Sequence, residues 1–115
     1  MTPEQRKELI ARYKDGYAQV RDALAGANER ELDARPGPGK WSAREIVHHL
    51  ADSEMTSAIR LRRVIAEDRP TIQGYDQDHY AQTLFYDRPV ANSLEAFRFA
   101  RASTAEILER LTDAQ

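Results

Sequence analysis

The chain has 115 residues, 17 Lys plus Arg against 19 Asp plus Glu, no cysteine, and 41% hydrophobic residues. This is the length of one domain with a single modest core, and its net charge of −2 argues against a nucleic-acid binder, whose domain carries a basic excess. The missing cysteines exclude disulfides, thiolate nucleophiles and Cys-type zinc sites; with no apolar run near the ~18 residues of a membrane span and no signal-peptide core behind Met1, a cytoplasmic protein is expected.

The first helix opens at Thr2, with Pro3 at the first helical position and Glu4 in the first turn. Ile10, Tyr13, Tyr17, Val20 and Leu24 recur at three and four residues, so they form one apolar stripe. Gly26 and Asn28 are expected to end it. Gly16 lies inside and costs about 1 kcal/mol relative to Ala. It marks either a tolerated glycine, the reading preferred here, or the close approach of another backbone.

The run Arg35-Pro36-Gly37-Pro38-Gly39-Lys40 cannot be helical, because its prolines lack donors and bias their predecessors toward extended geometry. It leads into Trp41-Ser42-Ala43-Arg44-Glu45-Ile46. Ser42 and Glu45 form a capping box there, with Trp41 expected to staple onto Ile46. The second helix then runs to about Glu67, and Ile46, Val47, Leu50, Ala58, Leu61, Val64 and Ile65 are its expected buried face. Between Asp68 and Ala91 the pattern weakens. Asp76 is expected to cap a short helix through Tyr86, with Tyr80, Leu84 and Phe85 packing down. Asn92-Ser93-Leu94-Glu95 reads as another capping box, and a third long helix carries Leu94, Phe97, Thr104, Leu108 and Leu111 on one stripe. The expected fold is all-α: a single up-down bundle over residues 1–115, with three main helices and a long crossover between the second and third.

Two charges fall on these apolar stripes. Glu54 lies near the centre of the second helix's stripe and Arg101 inside the third's. A lone buried charge costs several kcal/mol, so the two are expected to meet, either as a structural ion pair or as groups facing an interior pocket. His49 falls on the shoulder of the second helix's stripe and His48 nearer solvent; a shoulder histidine is either a hydrogen-bonded boundary residue or a metal ligand. His79 lies in the acidic Asp76-Gln77-Asp78-His79, which is either a solvated helix start or a source of oxygen and nitrogen ligands. Arg60, Arg62, Arg63 and Arg69 form a basic cluster suited to a helix C-terminus. No glycine-rich phosphate loop, catalytic serine triad or His-Glu-x-x-His is present.

The stretch Trp41-Ser42-Ala43-Arg44-Glu45-Ile46-Val47-His48-His49-Leu50-Ala51-Asp52-Ser53-Glu54 resembles the DinB-like superfamily, the group of YfiT-like metal-dependent hydrolases. It matches the pattern Trp-Ser-x-x-Glu-x-x-x-His-Leu followed by Ala-x-x-Glu. Tyr75 to Asp78 and Ser93 to Arg101 also look like the superfamily's later segments. The resemblance implies an antiparallel four-helix bundle with zinc or nickel held by three histidines, the first matching His49. It further implies hydrolase or thiol-dependent transferase chemistry. The other two ligands normally come as His-x-x-x-His on a later helix, and this sequence contains no such pair. Three helices patterned for a four-helix core leave an apolar groove, so a homodimer or a small apolar ligand is expected there. A non-catalytic helical module is accordingly the alternative to the enzyme.

Overall fold

The computed structural model describes residues 2–111. Every regular element among them is helical: α1 (Pro3–Leu24), α2 (Glu29–Asp33), α3 (Ala43–Ala66), α4 (Gln77–Thr83) and α5 (Ala91–Arg110). Local chemistry sets most of these boundaries. Thr2 accepts from the Gln5 N–H while the Gln5 side chain accepts from the Thr2 N–H. Ser42 and Glu45 make the same reciprocal pair at the start of α3. Gly39, at φ 72, turns the chain just before Trp41.

Several boundaries differ from the sequence reading. Asn28 does not end α1; it caps the additional short helix α2 by accepting from the Glu31 N–H. The Asn92-Ser93 box does not form: α5 begins earlier, with Val90 as its N-cap and no side-chain cap. Ser93 therefore sits within the first turn and is buried. Helix α4 stops at Thr83, and Phe85 at φ 56 reverses the chain so that Tyr86, 2% exposed, points inward. Leu84 and Phe85, expected to pack down, are exposed.

Helix α5 is the central element, packing on both α1 and α3, whereas α1 and α3 make no close backbone approach to each other. This explains the burial on α3. Val47, Ala51, Glu54 and Ala58 face α5 and are buried, while Ile46 and Val64 on the other flank of the same apolar stripe remain exposed. The stripe is wide enough for two neighbours and α5 covers one flank. Helix α1 likewise has no fully buried residue along its 22 positions. Among the described residues no helix is long and apolar enough to cross a membrane.

Candidate functional site

The three long helices converge on one polar cluster. Glu54 on α3, 7% exposed, accepts from the Arg101 Nε of α5 at 3.1 Å and from the Tyr13 hydroxyl of α1. Arg101 also donates from Nη1 to the Tyr13 carbonyl at 3.1 Å. Its guanidinium lies 4.4 Å from the centre of the Tyr13 ring and 4.8 Å from that of Phe97. This cation–π packing suits a delocalised, weakly hydrated cation. The structure thus brings Glu54 and Arg101 together, and adds two residues. Burial and the bond to Glu54 push the Tyr13 phenol up to about 12, so it remains a donor at neutral pH. Gly16 is the seat of the guanidinium: a Cβ there would lie 1.8 Å from Arg101 Nη1. Gly16 is therefore neither a merely tolerated glycine nor the seat of another backbone: the group that approaches it is a side chain.

A second network ties the crossover to α3. His48, expected near solvent, has 0% exposure. Its Nε2 lies 2.8 Å from the Arg88 carbonyl and its Nδ1 2.6 Å from Ser93 Oγ. A carbonyl only accepts, so Nε2 carries the proton and Nδ1 accepts from the Ser93 hydroxyl. Burial holds the His48 pKa below its ordinary value, in keeping with this neutral tautomer. Arg44, which the sequence reading passed over, is 4% exposed. It donates to Asp33 at 2.7 Å, to Glu29 and to the Arg88 carbonyl at 3.3 Å, fastening α2 and the crossover to α3. Tyr86 donates to Asp52 at 2.7 Å, and its phenol is raised well above the usual range by burial and that bond.

His49 differs from its neighbour. Its ring is half-buried and packs edge-on against Trp41, with centroids 5.1 Å apart. Trp41 also packs edge-on against Tyr86, with ring centroids 6.2 Å apart, and Ile46 is 43% exposed. His49 Nδ1 is buried without a hydrogen-bond partner among the described residues. His79 is exposed on α4, where its N–H and that of Asp78 cap onto Asp76 Oδ1 at 3.1 Å. The arginine cluster is dispersed: Arg62 bonds Thr104 and Ser103, Arg63 pairs with Glu67, and Arg60 donates to the Gln73 carbonyl. Among the described residues no three His, Asp or Glu side chains converge as metal ligands. They offer the imidazoles of His49 and His79 without hydrogen bonds, not a complete ligand set.

The fold and these networks define an all-α bundle with a clasped polar core and a free histidine on its second long helix. The chain belongs to the DinB superfamily, whose family model matches residues 12–115. It is 30% identical over 105 residues to an Oceanobacillus iheyensis protein named "Putative metal-dependent hydrolase OB0782", covering 91% of this chain and 61% of that one. It is also 30% identical over 118 residues to "Putative metal-dependent hydrolase YfiT" of Bacillus subtilis, covering 100% of this chain and 65% of the relative. The solved structure of YfiT superposes with a TM-score of 0.92 at 28% identity, over 99% of this chain and 66% of that one. That protein is described as a probable metal-dependent hydrolase with an unusual four-helix bundle topology. This chain therefore spans somewhat less than two thirds of the length of the relatives it matches.

Proposed function

We propose that this chain forms the helical platform of a metal-dependent hydrolase or thiol-dependent transferase, with His49 as its contribution to a zinc or nickel site. The observation carrying this reading is the contrast between adjacent histidines. Both ring nitrogens of His48 are engaged, whereas neither of His49 is hydrogen-bonded among the described residues. An unused imidazole held by an aromatic edge is suited to ligation. Among the described residues no group of three His, Asp or Glu side chains converges to complete that site. A bound divalent ion would polarise a scissile carbonyl and lower the pKa of its water. The Tyr13–Glu54–Arg101 clasp then has the role of fixing the mutual register of α1, α3 and α5.

The second reading, a non-catalytic module that dimerises or takes a small apolar ligand, is favoured by a different observation. The flank of α3 carrying Ile46 and Val64 is exposed, and α1 buries no residue fully. Metal content after zinc or nickel loading separates the two. Retained metal that disappears in His49→Ala supports the enzyme platform; a metal-free chain with a concentration-dependent dimer supports the module.

A further inference from the structure

Among the described residues two side-chain polar atoms are both buried and unpaired, His49 Nδ1 and Arg60 Nε. His49 Nε2 is not hydrogen-bonded there either, so it is the ring nitrogen within reach of solvent. The two nitrogens of one imidazole thus face different surroundings. A polar atom taken out of water is destabilising unless another group replaces the water. What His49 Nδ1 faces therefore decides which nitrogen carries the proton.

The ring packed on this imidazole is the Trp41 indole. Their centroids are 5.1 Å apart and their planes stand at 71°, a T-shaped pair in which the edge of one ring meets the face of the other. An aromatic face is negative. An imidazole edge directed at it is favourable with a proton on the leading nitrogen and unfavourable with a lone pair there. The two neutral tautomers of His49 therefore separate. With the proton on Nε2, the buried Nδ1 lone pair is shut away from water against the π cloud. With the proton on Nδ1, that N–H rests on the indole and the Nε2 lone pair is solvated. The indole is itself held in place. Gly39 turns the chain before it, and Arg35 donates to the Lys40 carbonyl at 2.8 Å and pairs with Glu45 at 2.6 Å. Tyr86, fixed by its bond to Asp52, packs on the indole with centroids 6.2 Å apart. The proline–glycine strap thereby sets where Trp41 sits relative to α3.

We propose that the His49 Nδ1–H is directed at the face of the Trp41 indole, which makes Trp41 the positioning residue that fixes the His49 tautomer and presents an unprotonated Nε2 to solvent. A histidine ligates as the neutral ring through its unprotonated nitrogen, and the N–H on its other nitrogen is ordinarily oriented by a carboxylate, carbonyl or water. Here an aromatic face takes that place. The tautomer is a property of the metal-free chain; only its consequence for ligation rests on the proposed metal site.

The test reads the His49 ring nitrogens of the whole, metal-free chain by long-range proton–nitrogen correlation NMR, at a pH where the imidazole is neutral. The expected spectrum is that of a ring protonated mainly on Nδ1, the reverse of the form that predominates for histidine in water. Trp41→Phe keeps an aromatic face and should retain it. Trp41→Leu keeps only apolar bulk and should shift His49 mainly to the Nε2–H form, while His48, whose Nε2 proton is held by the Arg88 carbonyl, stays unchanged. Zinc titrated into the same samples should bind Trp41→Leu on the order of tenfold more weakly than the wild type. The wild-type spectrum is decisive even where Trp41→Leu fails to fold. A wild-type ring protonated mainly on Nε2 overturns the proposal, as does a folded Trp41→Leu with the wild-type tautomer or the wild-type zinc affinity. A wild type that is protonated on Nδ1 and binds no zinc upholds it and refutes the metal reading instead.

Discussion

Gly16→Ala tests the clasp at its tightest point. The added methyl would lie 1.8 Å from Arg101 Nη1 and 2.9 Å from its Cζ, so the guanidinium at the end of that flexible side chain has to move. Arg101 must therefore leave its seat, losing the bond to the Tyr13 carbonyl and the 3.1 Å pair with Glu54. Glu54, 7% exposed, is then left with the Tyr13 hydroxyl alone. Breaking a buried pair this way costs about 3–5 kcal/mol, and replacing helical Gly by Ala returns about 1 kcal/mol. The expected net loss is roughly 2–4 kcal/mol, a fall in melting temperature of about 10 °C for a chain of this size. Urea and thermal unfolding followed by circular dichroism measure it. In an Arg101→Ala background the sign should reverse: with no guanidinium to displace, Gly16→Ala should stabilise by up to about 1 kcal/mol. A neutral or stabilising Gly16→Ala in the wild-type background would refute the seat.

The remaining expectations concern the other networks. Ser93→Ala leaves His48 Nδ1 buried without a donor, and urea unfolding should show a loss of about 1–3 kcal/mol; an unchanged midpoint would mean that the serine hydroxyl does not serve the imidazole. Tyr13 has a folded pKa of about 12 against an ordinary 10.0, so its contribution is complete below pH 10 and is lost as pH rises from there toward 12. Alkaline unfolding curves should show this decline, and Tyr13→Phe should flatten it; an identical slope in the variant would contradict the assignment. Arg44→Ala removes the link from α3 to α2 and the crossover, so the Leu32 amide, bonded to the Asn28 carbonyl, should exchange faster with solvent. Unaltered protection of that amide would show that α2 is held by other contacts.

The bundle was readable wherever one residue pattern had one physical meaning. Thr2 ahead of Pro3, and Ser42 with Glu45, open their helices by local chemistry, and the spacing of Tyr13, Tyr17 and Val20 implies helix without reference to any neighbour. The azimuths of Glu54 and Arg101 were informative because a charge on an apolar stripe requires a partner. Elsewhere the deciding partner was remote in sequence. Ser93 fits an N-cap pattern locally, and only the buried His48 shows why it belongs inside α5. His48 itself is buried by the Arg88 carbonyl, a backbone group that no side-chain pattern reveals. Arg44 could have been found: on α3 it lies on the same side as Val47, His48 and Ala51, which are all buried. The helical wheel failed at Ile46 and Val64 because it places apolar residues correctly on a stripe but does not say how many neighbours cover that stripe.

Metal stoichiometry bears most directly on the proposed role of His49. The wild-type chain, His49→Ala and His48→Gln should each be loaded with zinc and nickel, dialysed, and assayed for bound ion, with Trp41 emission recorded because its ring touches His49. About one ion per chain, or per pair of chains, is expected, with a change in Trp41 emission on loading. Both signals should vanish in His49→Ala and survive in a folded His48→Gln. Metal retained equally by His49→Ala, or by none of the three proteins, would contradict it.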